Sequence, residues 1–357
     1  MIRLNQMNET NITPRQGFVL NIVTKSNGLL RGEIQVELEK AHPVSKPTLV
    51  RDLTKLIKKR LIRVEGRGKN TKYFSYSKNP LLRPFDINLY FVQEPDERID
   101  AKKNLDPSVF DNLNDLFSSG EIEKVKKARK SFDKQTKKLT PDIFKKELER
   151  FVIELSWKSS KIEGNTYTLL ETEELIKRRQ ESKGKSKEEA TMILNHKDAF
   201  LEILKSKTGF KKLNLSEINQ LHNTLIKGLN VSAGIRRHAV GITGTVYRPF
   251  DNQFQTKQAM EKLIRVVNEN SQPLEKALII ISMIAYIQPY SDGNKRVGRM
   301  LANALLLAHD YCPLSYRSID EQEYKKALIL FYEQGSIYHL KRLFIEQLIF
   351  ASNNYFK

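Results

Sequence analysis

A single cysteine, Cys312, and a single tryptophan in 357 residues set the first limits on this chain. One thiol cannot close an intramolecular disulfide or build a cysteine-based zinc cluster, so the fold has to rest on an apolar core. Long hydrophobic runs are missing as well. The longest, Ala277 to Ile287, is about half of the ~20 residues a membrane-spanning helix needs. The opening MIRLNQMNETN is polar and gives no secretory signal, and no internal repeat recurs along the chain. A cytoplasmic protein without a membrane partner is expected. Positive charge, by contrast, is plentiful: 61 Lys+Arg against 42 Asp+Glu, a formal net charge of +19 and a pI near 9.7. Such a field attracts polyanions, either nucleic acid or nucleotides. A lysine-rich composition without any target gives the same sum, so the location of the charge decides. With 39% hydrophobic and 29% charged residues, the composition is that of a globular protein long enough for two or three domains.

Three stretches differ in texture, 1–79, 80–138 and 139–357. In the first, RQGFVLNIVTKS sets Phe18 with Ile22 and Val19 with Val23 at i,i+4, and RGEIQVELEKA carries Ile34, Val36 and Leu38. VSKPTLVRDLTKLIKKRLIRVEG begins with Ser45 at the N-cap and Pro47 in the first turn, and its buried stripe is Leu49, Leu53, Leu56 and Ile57. LIRVEGRGKNTKYFSYS reads as two strands around a glycine-rich turn. Helix, helix, helix, hairpin is an order that resembles a winged helix-turn-helix domain, with the third helix as reader and the hairpin as wing. Between Ala41 and Tyr73, ten basic residues (Lys46, Arg51, Lys55, Lys58, Lys59, Arg60, Arg63, Arg67, Lys69 and Lys72) stand against Asp52 and Glu65. Ser45, Lys46, Thr48 and Arg51 would face a DNA groove, and Arg67 and Lys69 would meet phosphates. Such a module serves either DNA binding or protein docking. Residues 80–138, interrupted by Pro80, Pro84, Pro95 and Pro107 and ending in a lysine-rich helix, read as linker and connecting helices.

The third stretch is almost wholly helical in pattern. LEKALIIISMIAYI is apolar nearly all round and should be a central buried helix. After the turn QPYSDGN, the next helix carries Val297, Met300, Leu301, Ala304, Leu305 and Ala308 on one face and Arg296, Arg299 and Asn303 on a neighbouring one. Two guanidiniums one turn apart at a helix start, behind Gly293 and Asn294, suit a polyphosphate, because the first helical N–H groups and the dipole both favour anions. Asp292 beside them could hold Mg²⁺, a hard cation that takes carboxylate and phosphate oxygens. A capped helix with surface salt bridges would carry the same residues.

QPYSDGNKRVGR, 288–299, resembles the signature of Fic (Fido-fold) proteins, His-Pro-Phe-x-Asp/Glu-Gly-Asn-Gly/Lys-Arg-x-x-Arg. Two further stretches fit in order. GIRRHAVGITGTVYRP, 234–249, is similar to the Fic flap, and SSKIEGNTYT, 159–168, to the inhibitory motif Ser/Thr-x-x-x-Glu-Gly/Asn. The resemblance covers roughly 139–350. It implies a mainly α fold: an all-helical Fic core with a β-hairpin flap, preceded by the winged-helix (α+β) domain. It also implies transfer of AMP from ATP, with Mg²⁺ or Mn²⁺, to a Ser, Thr or Tyr hydroxyl of a protein substrate. On this likeness Asp292 would bind the metal, and Gly293, Asn294 and Lys295 would form the anion hole. Arg296 would contact phosphate and Arg299 the γ-phosphate, so that Gln288, Asn294 and Arg296 stand at the reacting centre. A homodimer is expected from the same likeness.

The helix before the inhibitory motif is legible without it. TPDIFKKELERFVIELSWKSSKIEGN starts with Thr140 as N-cap and Pro141 at N1, and packs Phe144, Leu148, Phe151, Val152 and Leu155. Ser159 and Glu163 share a face at i,i+4, and Gly164 ends the helix, giving a candidate inhibitory helix over about 140–164. The resemblance pairs Glu163 with Arg299, as a brake within the same chain. It breaks at Gln288, where the family's general base is His. Imidazole accepts a proton near neutral pH and an amide does not, so nucleotide binding should persist while transfer is weak or absent. His238, at the flap, is the other histidine placed near the target side; His222 in INQLHNTL would pack or hydrogen-bond within the fold. Three roles follow: an autoinhibited protein adenylyltransferase, an ATP-sensing DNA-binding regulator without activity, or a docking scaffold.

Overall fold

The computed structural model describes residues 12–356 apart from positions 25, 27, 41, 60, 76–78, 99 and 100. An N-terminal unit contains α1 (Pro14–Thr24), β1 (Leu29–Leu30), α2 (Arg31–Glu39), α3 (Lys46–Lys58), β2 (Ile62–Glu65) and β3 (Lys72–Ser75). The strands form an antiparallel sheet in the order β1-β3-β2, with Leu29 and Val64 both registered on Tyr73. β1 was not visible in the sequence pattern, since a strand of two residues has no period of its own. This unit has a core separate from the rest, built on residues such as Val19, Val23, Ile34, Leu38, Leu49, Leu53, Leu56 and Ile62. Inside it the buried Asp52 accepts from Arg15 Nε at 2.5 Å and Gln16 Nε2 at 3.0 Å, tying α3 to α1. Val36 and Ile57 are corrections to the expected core, because both are exposed. Ile34 and Leu38, one turn apart, point inward, so Val36 between them points out. Ser45 does hold the N-cap position, but its hydroxyl pairs with Thr48 Oγ1 at 3.0 Å rather than with a backbone N–H.

The remainder is helical: α4 (Ile87–Tyr90), α5 (Ser119–Thr136), α6 (Pro141–Ile162), α7 (Leu169–Arg178), α8 (Lys187–Lys205), α9 (Leu215–Ile226), α10 (Gln253–Glu269), α11 (Pro273–Ile287), α12 (Asn294–Ala308), α13 (Glu321–Gln334) and α14 (Tyr338–Asn354). α11 is the axis, buried from Leu274 to Ile287, as its unbroken apolar sequence requires. α12 lies along it. A Cβ at Gly298 would stand 3.4 Å from the Ile281 carbonyl oxygen, so glycine at this position lets the two backbones come close. α6 opens as expected, with Thr140 Oγ1 accepting from the Ile143 N–H and Pro141 in its first turn. Phe151, Val152 and Leu155 enter the core, whereas Phe144 near the helix start is exposed.

Residues 80–138 are more than a linker. Leu81, Leu105, Val109, Phe110, Leu113, Leu116, Phe117 and Val125 belong to the same core as α11 and α12. Prolines break helices here because the chain wraps over the body in short 3-10 turns. The segment 234–249, expected as a hairpin, pairs with no strand of its own. It is a loop with a turn at 243–244, and its one ladder contact is a parallel bridge from Arg248 to Asn104. Buried Glu333 of α13 fastens this loop to the wrap, accepting from Tyr90 Oη (2.7 Å), Arg98 Nη1 (3.0 Å) and Thr245 Oγ1 (2.6 Å). Partners so far apart in sequence replace local strand pairing.

Candidate active site

α11 ends at Gln288 in left-handed backbone (φ 50°, ψ 59°), and the turn into α12 passes through Gly293 at φ 84°. Gly293 has no free alternative: its φ disfavours any side chain, and a Cβ would meet Arg296 Nη2 at 3.4 Å. The first α12 hydrogen bond runs from the Val297 N–H to the Gly293 carbonyl at 2.9 Å. The N–H groups of Asn294, Lys295 and Arg296 therefore have no helical acceptor, and N–H groups so placed at a helix start favour an anion, as the dipole does.

Asn294 locks this turn. Its Oδ1 accepts from the Tyr290 N–H, and its Nδ2 donates to the Tyr290 carbonyl and to Gln288 Oε1, each at 2.8 Å. Gln288 Nε2 donates to the Ala285 carbonyl at 2.7 Å. Both ends of the amide are thus engaged in holding the turn, and neither is basic. Arg236, buried and drawn down in pKa by burial, supports the same turn from the 234–249 loop. Its Nε donates to the Gln288 carbonyl at 2.7 Å and its N–H to the Pro289 carbonyl at 3.0 Å, while Nη1 reaches the His238 carbonyl and Nη2 the Phe250 carbonyl. His238 itself is exposed, and it is tied to the site through its backbone carbonyl.

The two arginines of α12 are fully buried cations. Arg296 Nη2 meets Asp292 Oδ2 at 2.8 Å, and burial lowers its pKa. Arg299 donates from Nε to Ser159 Oγ and from Nη2 to the Ser159 carbonyl, both at 2.9 Å, and its Nη1 stands 2.9 Å from Glu163 Oε1. Glu163 occupies the C-cap of α6, ahead of Gly164 at φ 99°. Its second oxygen meets Lys295 Nζ at 3.0 Å. Burial pushes the Glu163 carboxyl up, but Arg299 and then Lys295 outweigh it and hold the pKa down at about 2. Lys295, expected on phosphate, is here the second anchor of Glu163. Asp292 is 64% exposed and carries the one carboxylate of the turn. Among the described residues no cluster of three His, Cys, Asp or Glu exists. A cation that keeps its waters and takes phosphate oxygens needs only one or two carboxylates, so Asp292 fits.

Two buried histidines frame the site. His222 stacks on Tyr290 with ring centroids 3.7 Å apart, and its Nε2–H donates to the Asp292 carbonyl at 3.0 Å. Burial lowers its pKa to about 4, so it is neutral and structural, as its sequence context suggests. His196, which the sequence reading did not select, donates from Nδ1 to the Met192 carbonyl at 2.8 Å, and burial takes its pKa to about 3. Arg236, beside Arg237 in the flap-like stretch, carries no local signal of its role, since its acceptors lie elsewhere in the chain. The N-terminal candidates lie on a separate unit. Lys46, Arg51, Arg67 and Lys69 are exposed and Thr48 is half-buried, while Arg60 falls outside the described residues.

The Fic/DOC family model matches residues 212–306, which hold α9, the flap-like loop and the turn. Over 156 residues, 43% of this chain, the sequence is 30% identical to a protein adenylyltransferase Fic of Drosophila grimshawi and 29% identical to that of Drosophila ananassae. The chain spans about a third of the length of these curated relatives (32% and 31%). The fold is shared with a Fic domain-containing signaling protein from Bacteroides thetaiotaomicron (TM-score 0.56, 21% identity, 64% of this chain and 94% of that one). It is shared likewise with Fic-1 from C. elegans (TM-score 0.58, 17% identity, 66% and 71%). Together these findings support the Fic/Doc family, and the body is a mainly helical Fic fold. No helix among the described residues is long and apolar enough to cross a membrane.

Proposed function

We propose that the turn 288–299 binds a nucleoside triphosphate of the ATP kind, and that Glu163 restrains this site from within the chain. The observation that carries the reading is the pair Arg296 and Arg299, buried beside an open helix start, with a carboxylate on Arg299 where an anionic ligand would go. Gly293, Asn294 and Lys295 offer backbone N–H groups to phosphate oxygens, and Arg296 and Arg299 offset their charge. Asp292 would hold Mg²⁺ or Mn²⁺, which supplies further neutralisation when bound. The reaction class is adenylyl transfer to a protein Ser, Thr or Tyr hydroxyl. The oxygen attacks the α-phosphorus, the bond to pyrophosphate breaks, and the hydroxyl proton passes to a base. Gln288 cannot take that proton, and the loss of a general base costs about 10²–10⁴ in rate. Binding without efficient transfer is the expected state. Labelled ATP with Mg²⁺ tests it: incorporation by Glu163→Gly alone argues for another base, and incorporation only by Glu163→Gly/Gln288→His argues for a kept site without its base.

A second reading has its own observation. The order of α1, β1, α2, α3, β2 and β3, with exposed Lys46, Arg51, Arg67 and Lys69, suits a winged helix-turn-helix reading DNA. A regulator that senses ATP and binds DNA combines both halves. Its test is a DNA shift, with and without ATP, that weakens steeply with salt.

A further inference from the structure

The net charge of +19 is not spread over the molecule. The stretch 41–73 contributes ten basic residues against two acidic ones, and so does 124–146, with Asp133 and Asp142 as the acidic pair. The rest of the chain is close to neutral. The second stretch is α5 and the start of α6, in the fully helical body, and neither the nucleotide site nor the α3 reading uses it.

α5 is two-faced. Val125 and Ala128 are buried against the body, and Arg129 turns back over the Tyr311 ring at 4.3 Å. Lys126, Lys130, Lys134 and Lys137 fall one turn apart along the opposite face, with Lys127 beside them, and all five are exposed. At 1.5 Å per residue the row runs about 16 Å. Two acidic residues adjoin it: Glu123, one turn before Lys126 and Lys127, and Asp133, which lies nearest Arg129 at 3.8 Å. Among the described residues no carboxylate forms an ion pair with any of the five lysines. A solvated helix face mixes charge signs; from Lys126 to Lys137 this one carries none but lysine, with Glu123 closing its N-terminal end. The field continues past the helix: burial lowers the His309 pKa, and Lys276, Lys211 and Arg129 depress it further against Asp310. At its other end α5 opens on a cleft of about 590 Å³ bordered by Ser118 and Glu121 and, from the N-terminal unit, by Leu20, Thr24, Leu61 and Ser75.

We infer that the lysine row of α5 is a nucleic-acid backbone contact, a second polyanion surface distinct from α3 and from the nucleotide site. A regular row of unpaired ammonium groups matches evenly spaced phosphates and carries no base-reading side chains, so it binds without sequence preference. The inference is independent of the α3 reading, on which Arg51→Glu reports separately.

The test is fluorescence anisotropy of the full chain on a labelled duplex across a salt series. The variants are Lys126→Gln/Lys130→Gln/Lys134→Gln/Lys137→Gln, the same four changed to Arg, and a control with Lys183, Lys187, Lys227 and Lys257 changed to Gln. Each phosphate contact adds about 0.9 to the slope of log affinity against log salt, so the α5 glutamine variant should lose roughly 3 to 4 from it. The arginine variant should keep the slope, and the control should change it by less than one. Thermal melts confirm that the glutamine variant is folded. An unchanged slope overturns the inference, as does an equal loss in the control, which would make the effect one of net charge. Loss of binding to phosphatidylserine vesicles with DNA binding intact overturns it in favour of a membrane surface.

Discussion

The α12 arginines and the N-terminal unit use positive charge in opposite ways. In the body, Arg296 and Arg299 are buried and held by defined partners, among them Asp292, Ser159 and Glu163. In the N-terminal unit, Lys46, Arg51, Arg67 and Lys69 stand in solvent. A buried cation costs several kcal/mol of desolvation and persists only where partners of fixed geometry repay it. An exposed one costs almost nothing and acts through a field that salt screens. The first kind points to a ligand of defined shape, the second to an extended polyanion.

The largest test of this contrast is at Gln288. In a Glu163→Gly background, Gln288→His should raise the rate of label transfer from ATP by about 10²–10⁴. Equal rates with and without the histidine would place the base elsewhere. Next in size is the ion pair itself. Glu163→Gly leaves Arg299 buried with its Ser159 hydrogen bonds and the Tyr324 ring but no counter-charge, and breaking a buried pair from one side costs about 3–5 kcal/mol. Urea unfolding should show that loss, and ATP should recover part of it by occupying the vacated guanidinium.

Acid sharpens the comparison further. His196 and His222 have pKa values lowered to about 3 and about 4, so the unfolded chain binds their protons first. Their contribution is complete above 6.5 and falls as the pH drops toward 4. Glu163, held at about 2, contributes above its ordinary value of 4.5 and is lost only as the pH falls through 2. Melting temperature should therefore decline between pH 6.5 and 4 with Glu163 still charged, and His222→Gln should flatten that decline. The smallest effect belongs to the exposed region. Arg51→Glu should leave stability unchanged and reduce the salt slope of DNA binding by about one or two.

How much could be read in advance follows the range of the interactions. Helix caps and faces are local, so Thr140, Pro141, the Ser159 and Glu163 spacing and the apolar α11 were visible in the sequence. The turn at Gly293 was visible as well, because few residues adopt φ 84°. What depended on distant partners was not. Lys295 could be placed at the turn, but nothing local says that Glu163, more than a hundred residues earlier, takes its ammonium. Arg236 was hidden for the same reason: its acceptors at Gln288, Pro289 and Phe250 meet only in the fold. The 234–249 loop was misjudged as a hairpin because Arg98, Asn104 and Glu333 supply the contacts that a partner strand would have made.

The most direct measurement is calorimetric titration of ATP with Mg²⁺ into Glu163→Gly that retains Gln288. A saturable heat that weakens sharply when Arg299→Ala is added is the predicted result. No heat from a sample that melts cooperatively would contradict the central claim, that these buried guanidiniums are kept to hold phosphate.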